Sequence, residues 1–255
     1  MNKVVVLTGG GGILGRAMVS ALAADGFAVA VVDRHGELAD AAAALAPEMA
    51  RAYACDITDR AALADLHVQV KADLGDVDAL ICNAATKSDN FFEPFESFPI
   101  EDWNYVMGVN LTAPMQCAQE FGPQMAARGK GSIVNTLSIY GIVAPDQRIY
   151  EGSLYEGHAI NTPAIYAASK AGLWGLTKYL ASYWGAQGVR VNAVTPGGVF
   201  SGQNDTFVQK YAARTMMGRM GAAHEIADAV TYLVSDRASY VTGQNLIVDG
   251  GLTAW

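Results

Sequence analysis

The sequence is short of charge, and of positive charge most of all. Of its 255 residues 16% are charged, with 17 Lys and Arg against 25 Asp and Glu, for a formal net charge of -8. A surface that tracks nucleic-acid phosphates is basic, so that class of partner is excluded as a main role. Apolar residues make up 51%, yet no 18-residue run is free of interruption and no basic segment precedes a long apolar one near the start. No membrane span or export signal is expected, and the chain reads as soluble and cytoplasmic. Cysteine is scarce and odd in number, at three. Cys55 and Cys82 each end a strand-like run, which points to buried free thiols in a reducing compartment rather than a disulfide framework. No residue pattern suggests a metal site.

What is present is a regular alternation. The length suits one large core, and a single domain over 1–255 is expected, with no internal repeat, low-complexity tract or linker. Lys3 to Thr8 is β-branched and ends in Gly9-Gly10-Gly11-Gly12-Ile13-Leu14-Gly15, with a helical pattern from Arg16 to Ala24. Strand, glycine turn, helix is the order that brings backbone N–H groups and a helix N-terminus to a pyrophosphate. Gly9, Gly12, Ile13, Leu14 and Gly15 are therefore assigned to a dinucleotide. Phe27 to Val32 runs into Asp33, whose carboxylate accepts hydrogen bonds from both ribose hydroxyls of NAD and repels a 2'-phosphate. Arg34 could hold that phosphate or be a solvated loop charge, but the glycine turn carries no basic residue, so NAD(H) is favoured over NADP(H).

Arg51 to Cys55 leads into Asp56-Ile57-Thr58, and Val77 to Cys82 into Asn83-Ala84-Ala85. Strands alternating with helices pair in parallel and bind ligands beyond their carboxyl ends. Asp56 is placed to meet an adenine amino group and Asn83 to brace the turn, or either to cap the next segment. Ile100 to Arg128 reads as one long helix that Pro114 or Gly122-Pro123 bends, with Asn110 inside it. Gly131 to Leu137 is a fifth strand with Ser138 at its end. Pro163 to Trp184 is a largely buried helix. Within it Tyr166 and Lys170, four residues apart, share one face. A phenol with a pKa of about 10 is a poor base at neutral pH unless a cation stands beside it, and Lys170 is such a cation. Val189 to Val194 and Asn245 to Val248 are further strands, and Glu225 to Leu233 a helix. Residues 199–220 are expected to form a flap over a pocket.

In this order TGGGGILG, CDIT, CNAA, VNLT, NTLSIYG, YAASK, TPGGVF and VTGQNLIVDGG resemble the short-chain dehydrogenase/reductase family, compact type, over essentially the full chain. The resemblance implies a doubly wound Rossmann fold, α/β, with a parallel sheet of about seven strands and helices on both faces. It also implies a homotetramer and a catalytic set in which Tyr166 is the acid/base and Lys170 lowers its pKa and binds the nicotinamide ribose. Ser138 then holds the substrate oxygen and Asn110 supports a relay water. Ile57, Ala84, Pro196, Gly197 and Val199 join the cofactor site, Val199 at the carboxamide.

Two departures stand out. Gly9, Gly12 and Gly15 follow the spacing of nucleotide-sugar epimerases and dehydratases, which keeps an epimerase-like enzyme with retained NAD as an alternative, beside a non-catalytic nucleotide-binding regulator. Ser138 and Tyr166 stand 28 positions apart, about twice the usual spacing, so an insertion at about 144–162 should emerge beside the substrate. Arg148 there suits a carboxylate or phosphate, and Tyr150 and His158 suit hydroxyls; alternatively Arg148 pairs with Asp146 or Glu151. APDQRIYEG resembles oxidoreductases of bacterial surface-sugar and flagellin-glycan biosynthesis. The expected reaction interconverts a secondary alcohol and a ketone on a sugar-like small molecule.

Overall fold

The apolar runs become a sheet buried on both faces, because successive side chains of each strand point to opposite sides. The computed structural model describes residues 2–155 and 157–255, the side chains of Tyr155 and His158 apart. Val4–Thr8, Ala28–Asp33, Ala50–Ala54, Val77–Cys82 and Gly131–Thr136 are β1 to β5; Leu154–Tyr155 and His158–Ala159 are β6 and β7; Val189–Pro196 and Asn245–Val248 are β8 and β9. The helices are α1 Ile13–Ala24, α2 Gly36–Ala43, α3 Arg60–Asp73, α4 Ile100–Met107, α5 Ala113–Ala127, α6 Ala164–Trp184, α7 Asp205–Ala212 and α8 Ala223–Val234. Seven strands pair in parallel in the order β3-β2-β1-β4-β5-β8-β9, and β6 and β7 form a separate antiparallel hairpin. The strand order reverses between β1 and β4, so a crevice opens at their carboxyl ends.

Val4 and Val6 pack with Leu63, Phe121 and Leu180 on one side of the sheet. Val5 and Leu7 pack with Met18, Ala39 and Ile226 on the other. The expected Rossmann architecture is thus present, with strand ends within about two residues of those read from the sequence.

Three features go beyond the sequence reading. The long helix from Ile100 passes through one π turn at Gly108–Thr112, where the Ala113 N–H reaches the Gly108 carbonyl, and Pro123, one of the residues able to interrupt it, sits inside α5 without ending it. Pro114 has no N–H to return to the carbonyl of Asn110 four residues back, which favours a wider turn just upstream of it. Trp255 is 75% exposed, and its indole N–H donates to the Arg214 carbonyl. The 144–162 segment carries structure that its sequence did not announce, a short 3-10 turn at Gln147–Tyr150 and the β6–β7 hairpin.

That segment and residues 199–220 are fastened to each other. Ile149, Tyr211 and Met220 share a small core with Tyr150 and Phe207. The Lys210 ammonium donates to the carbonyls of Arg148 and Glu151, and Arg214 pairs with Asp146.

Helix α6 is tied to the sheet by a buried polar contact. Asn135 Nδ2 on β5 donates to Thr177 Oγ1, which donates to the Leu173 carbonyl. Both side chains are almost wholly inaccessible. Thr177→Val keeps the shape and removes the acceptor, leaving the Asn135 amide unsatisfied, and should cost about 1–3 kcal/mol. Urea unfolding with an unchanged slope is the measurement; a loss below about 0.5 kcal/mol would show that the contact does not fasten α6.

Candidate active site

Thr8, the last residue of β1, gathers the strand ends. Its buried hydroxyl donates to the Ile81 carbonyl and accepts from the backbone N–H groups of Asn83 and Ala84. Asn83 Nδ2 donates to the Gly9 carbonyl at 3.1 Å, so Asn83 braces the turn as expected. Gly9 has φ +64, and a Cβ on it would stand 2.7 Å from the Ala84 Cα. Only glycine allows the turn to lie this close to β4.

The turn opens on a crevice of about 650 Å3 that includes Gly9, Gly12, Ile13, Leu14 and Asp33 in its lining. Gly12 caps α1 without a side chain, and a Cβ there would meet only the Gly9 carbonyl at 3.5 Å, so any side chain would project into the crevice. Bare backbone at the start of a 12-residue helix is a fit for the pyrophosphate of a dinucleotide. Asp33 is held at the crevice by the N–H groups of Gly11 and His35, each at 3.2 Å. Arg34 lies across it and donates to His35 and, at 2.8 Å, to the Tyr105 hydroxyl on α4. Asp56 and Ile57 line the same crevice. Asp56 Oδ1 accepts from the Thr58 N–H and hydroxyl, and these two hydrogen bonds lower its pKa. It therefore caps its own turn in the crevice wall.

A second cleft of about 780 Å3 shares Ala85 and Thr86 with the first. Ser138, Tyr140, Tyr150, Tyr166, Gly197 and Val199 are among its walls. Pro196 ends β8 just beneath, and the Gly197 N–H pairs with the Val248 carbonyl. The two clefts together run over the carboxyl ends of β2, β1, β4, β5 and β8.

Tyr166 sits in the first turn of α6, with its ring edge-on to Phe91 at 6.3 Å. Burial raises its pKa, the Ser138 hydroxyl hydrogen-bonded to it works the other way, and the nearby Tyr150 adds to the rise. The Lys170 ammonium lies 6.0 Å from the Tyr166 ring centre and donates to the Thr136 carbonyl at 2.8 Å. Burial lowers its pKa to about 8. Desolvation is thus the largest influence on both the phenol and the ammonium. Asn110 lies in the π turn, fully buried; its Oδ1 accepts from the Thr86 N–H at 2.9 Å and its Nδ2 reaches Ser169 Oγ at 3.4 Å. Ser138, Tyr166 and Lys170 are thus neighbours, and Asn110 connects to them through Ser169, whose hydroxyl donates to the Tyr166 carbonyl.

The substrate-side expectations divide. Tyr150 is in the cleft wall, hydrogen-bonded to Tyr140 and Thr162 and stacked on Phe207. Arg148 is not in that wall. Its guanidinium is 81% exposed and forks onto both oxygens of Asp146, so the local pairing wins over an outward-reaching anion site. The side chain of His158 lies outside the described residues. The sequence reading passed over Thr8, Thr86, Tyr105, Tyr140, Lys87 and Asn161, all placed at these clefts or at the turn beneath them. Thr8 carried a usable signal, a hydroxyl ending an apolar run immediately before glycines; the others are single polar residues in loops or on a helix with no pattern around them.

Comparison with known proteins agrees with this geometry. A family model described as enoyl-(acyl carrier protein) reductase matches residues 11–253. D-threitol dehydrogenase of Mycolicibacterium smegmatis is 33% identical, over 99% of this chain and 93% of that protein. A short-chain dehydrogenase of Leptospira borgpetersenii, solved with bound NAD+, is 34% identical with a TM-score of 0.87, covering 99% of this chain and 93% of that one. A gluconate 5-dehydrogenase of Burkholderia cenocepacia, solved with NADP and tartrate, is 29% identical with a TM-score of 0.87, covering 100% and 97%. With a glycine turn under one cleft and a Ser–Tyr–Lys set under the next, the chain belongs to the short-chain dehydrogenase/reductase family and is an NAD(P)-dependent oxidoreductase acting on CH–OH groups.

Proposed function

We propose that the protein interconverts a secondary alcohol and a ketone on a sugar-like, polyhydroxylated small molecule, with NAD(H) as the favoured cofactor. The observation that carries this reading is the hydrogen-bonded Ser138–Tyr166 pair in the wall of the second cleft, with the Lys170 ammonium behind it. The first cleft, lined by Gly9, Gly12, Ile13, Leu14 and Asp33 among others, would hold a nicotinamide cofactor, which would supply or take up the hydride. Ser138 donates a hydrogen bond to the substrate oxygen. Tyr166 Oη takes the hydroxyl proton as the alcohol becomes a ketone, or returns it in reduction. Lys170 stabilises the phenolate form of Tyr166, the base that takes the proton in oxidation and the species left when the proton is given up in reduction, and would hold the cofactor ribose. Asn110 keeps the π turn and Thr86 in place and supports a relay water. Acid/base assistance of this kind is worth about 10²–10⁴ in rate.

The polyol reading is supported by the neutral hydrogen-bonding groups around the cleft, among them Tyr150, Thr162, Gln203 and Asn204. It also fits relatives named for threitol, gluconate and xylitol. NAD is favoured by the fixed Asp33 carboxylate and by Arg34 being turned onto Tyr105. A homotetramer packed through α5 and α6 fits the same reading, since Tyr179 and Tyr183 stack on each other along α6 while more than half exposed. A cytoplasmic setting fits Cys55, Cys82 and Cys117, all buried free thiols.

Tyr166→Phe should fold, bind NADH and lose at least 99% of turnover, followed by NADH absorbance with a polyol and sugar-acid panel. Activity within a factor of a few of the parent would overturn the role of the phenol. Asp33→Ala should weaken NAD+ about 10–100-fold, the loss of charged hydrogen bonds, and shift the preference toward NADP+; steady-state KM values for both cofactors decide it, and an unchanged ratio counts against Asp33.

Lys170 sets function against stability. Its folded pKa of about 8 lies below the ordinary lysine value of about 10.4, so the unfolded chain binds the proton more tightly and stability rises with pH across that window. Lys170→Met should stabilise the cofactor-free protein at pH 7 by about 1–3 kcal/mol while removing activity. The stability gain should shrink from about pH 8 upward. A lower melting temperature at pH 7 than the parent would contradict this.

A further inference from the structure

We infer that a cavity beside the catalytic cleft binds an uncharged apolar arm of the substrate, so that the molecule reacting at Tyr166 is a hydroxylated head carrying an alkyl or aryl group. The inference deepens the reading above and rests on it, since it places the head in the catalytic cleft. The cavity measures about 960 Å3 and shares Tyr150, Leu154, Ile160, Asn161, Thr162 and Pro163 with that cleft as wall residues. The two spaces therefore adjoin, with the hydrogen-bonded Tyr150–Thr162 pair where they meet. An arm on a molecule in the cleft has this cavity next to it.

The chemistry of the wall changes from one space to the other. In the catalytic cleft Ser138, Tyr166, Gln203 and Asn204 offer hydroxyls and amides. In the cavity Pro94, Phe98, Trp103 and Ile165 offer carbon. Phe98, Trp103 and Ile165 belong to the apolar cluster that also packs Phe91 and Tyr166, so the wall that would hold the arm also seats the reacting phenol. Among the described residues of the cavity wall the charged ones are Glu93 and Glu151, both solvent-exposed. Two carboxylates oppose an anionic arm, and carbon surface favours an uncharged one.

Exposure supplies the second observation. Phe95 in a 3-10 turn, Ile100 at the start of α4 and Leu154 in β6 line this cavity while remaining 74%, 62% and 61% exposed. Apolar residues exposed singly are ordinary, but several around one cavity mark a surface that something covers. The adjoining Tyr166 cleft points to the substrate as that cover rather than to a second copy of the chain. Asn161, which lines both spaces, agrees. Its Nδ2 donates to the Phe92 carbonyl at 2.7 Å, and its Oδ1 is buried with no hydrogen-bond partner among the described residues. A substrate hydroxyl at the join of head and arm satisfies that oxygen.

The test uses methyl, butyl and hexyl β-D-glucopyranoside, which share a head with its secondary alcohols and differ only in the arm. Calorimetry on the full-length protein saturated with NADH gives their dissociation constants for the parent and two variants. Ala164→Trp fills the cavity from the first residue of α6, an exposed position outside the catalytic wall. Phe98→Ser removes carbon from the cavity wall. The parent should gain about threefold in affinity per added methylene, hence at least about 30-fold from methyl to hexyl. Ala164→Trp should erase that gain and Phe98→Ser cut it by about threefold or more, with methyl glucoside binding unchanged in both. A flat series in the parent, including one in which no member binds, overturns the arm site, and so does a gain that survives Ala164→Trp. A flat series together with a smaller sedimenting species in Ala164→Trp assigns the cavity to a second copy of the chain instead. Oxidation of the probes by NAD+ is read separately. A gain with arm length but no turnover leaves the arm site standing and counts against the dehydrogenase reading, whereas turnover with a flat series keeps that reading and removes the arm site.

Discussion

A positive charge taken out of water is the constraint around which the active site is built. The Lys170 ammonium is buried between α6 and β5 and is held by the Thr136 carbonyl rather than by a carboxylate. A carboxylate there would neutralise it; a carbonyl dipole leaves most of its field directed at the neighbouring phenol and at whatever lies in the cleft. Such an arrangement is expensive on its own. It persists because α6 is fixed to the sheet by apolar packing through Ile165, Leu173 and Trp184 and by the Asn135–Thr177 contact. The core thus supplies the stability that the site consumes.

The same division shapes the cleft wall. The proposed catalytic residues stand just past β5, on α6 and in the π turn, while the wall facing them comes from residues 144–162 and 199–220. These two stretches stabilise each other through the Tyr150–Phe207 stack and the Lys210 and Arg214 links. Rigid reaction chemistry therefore meets a recognition surface whose support is largely its own, an arrangement in which binding properties can change without disturbing the reacting groups.

Much of this was legible in the sequence because it repeats or because its chemistry is local. Val4 to Leu7 read as a doubly buried strand from its continuous apolar run, and the glycine turn from its place between strand and helix. Tyr166 and Lys170 read as one face from their spacing. Arg148 shows the limit: a carboxylate two residues away captured it, and nothing in composition decides between a local partner and a distant ligand. The π turn was invisible for a related reason. Pro114 signals a disturbance, but where the helix accommodates it depends on the demands placed on Asn110 by Thr86 and Ser169.

That turn has a mechanical meaning. An α-helix advances about 100° per residue, so one additional residue in a single turn rotates everything before it by that amount relative to everything after it. Without the offset, the face of α4 that offers Tyr105 to Arg34 and the face of α5 that buries Cys117 and Phe121 would be locked into one periodicity. With it, the two halves keep separate phases, like two gears on one shaft joined by a slipped tooth. Substitutions along α4 can alter the wall of the nucleotide crevice while α5 keeps its seat on the sheet.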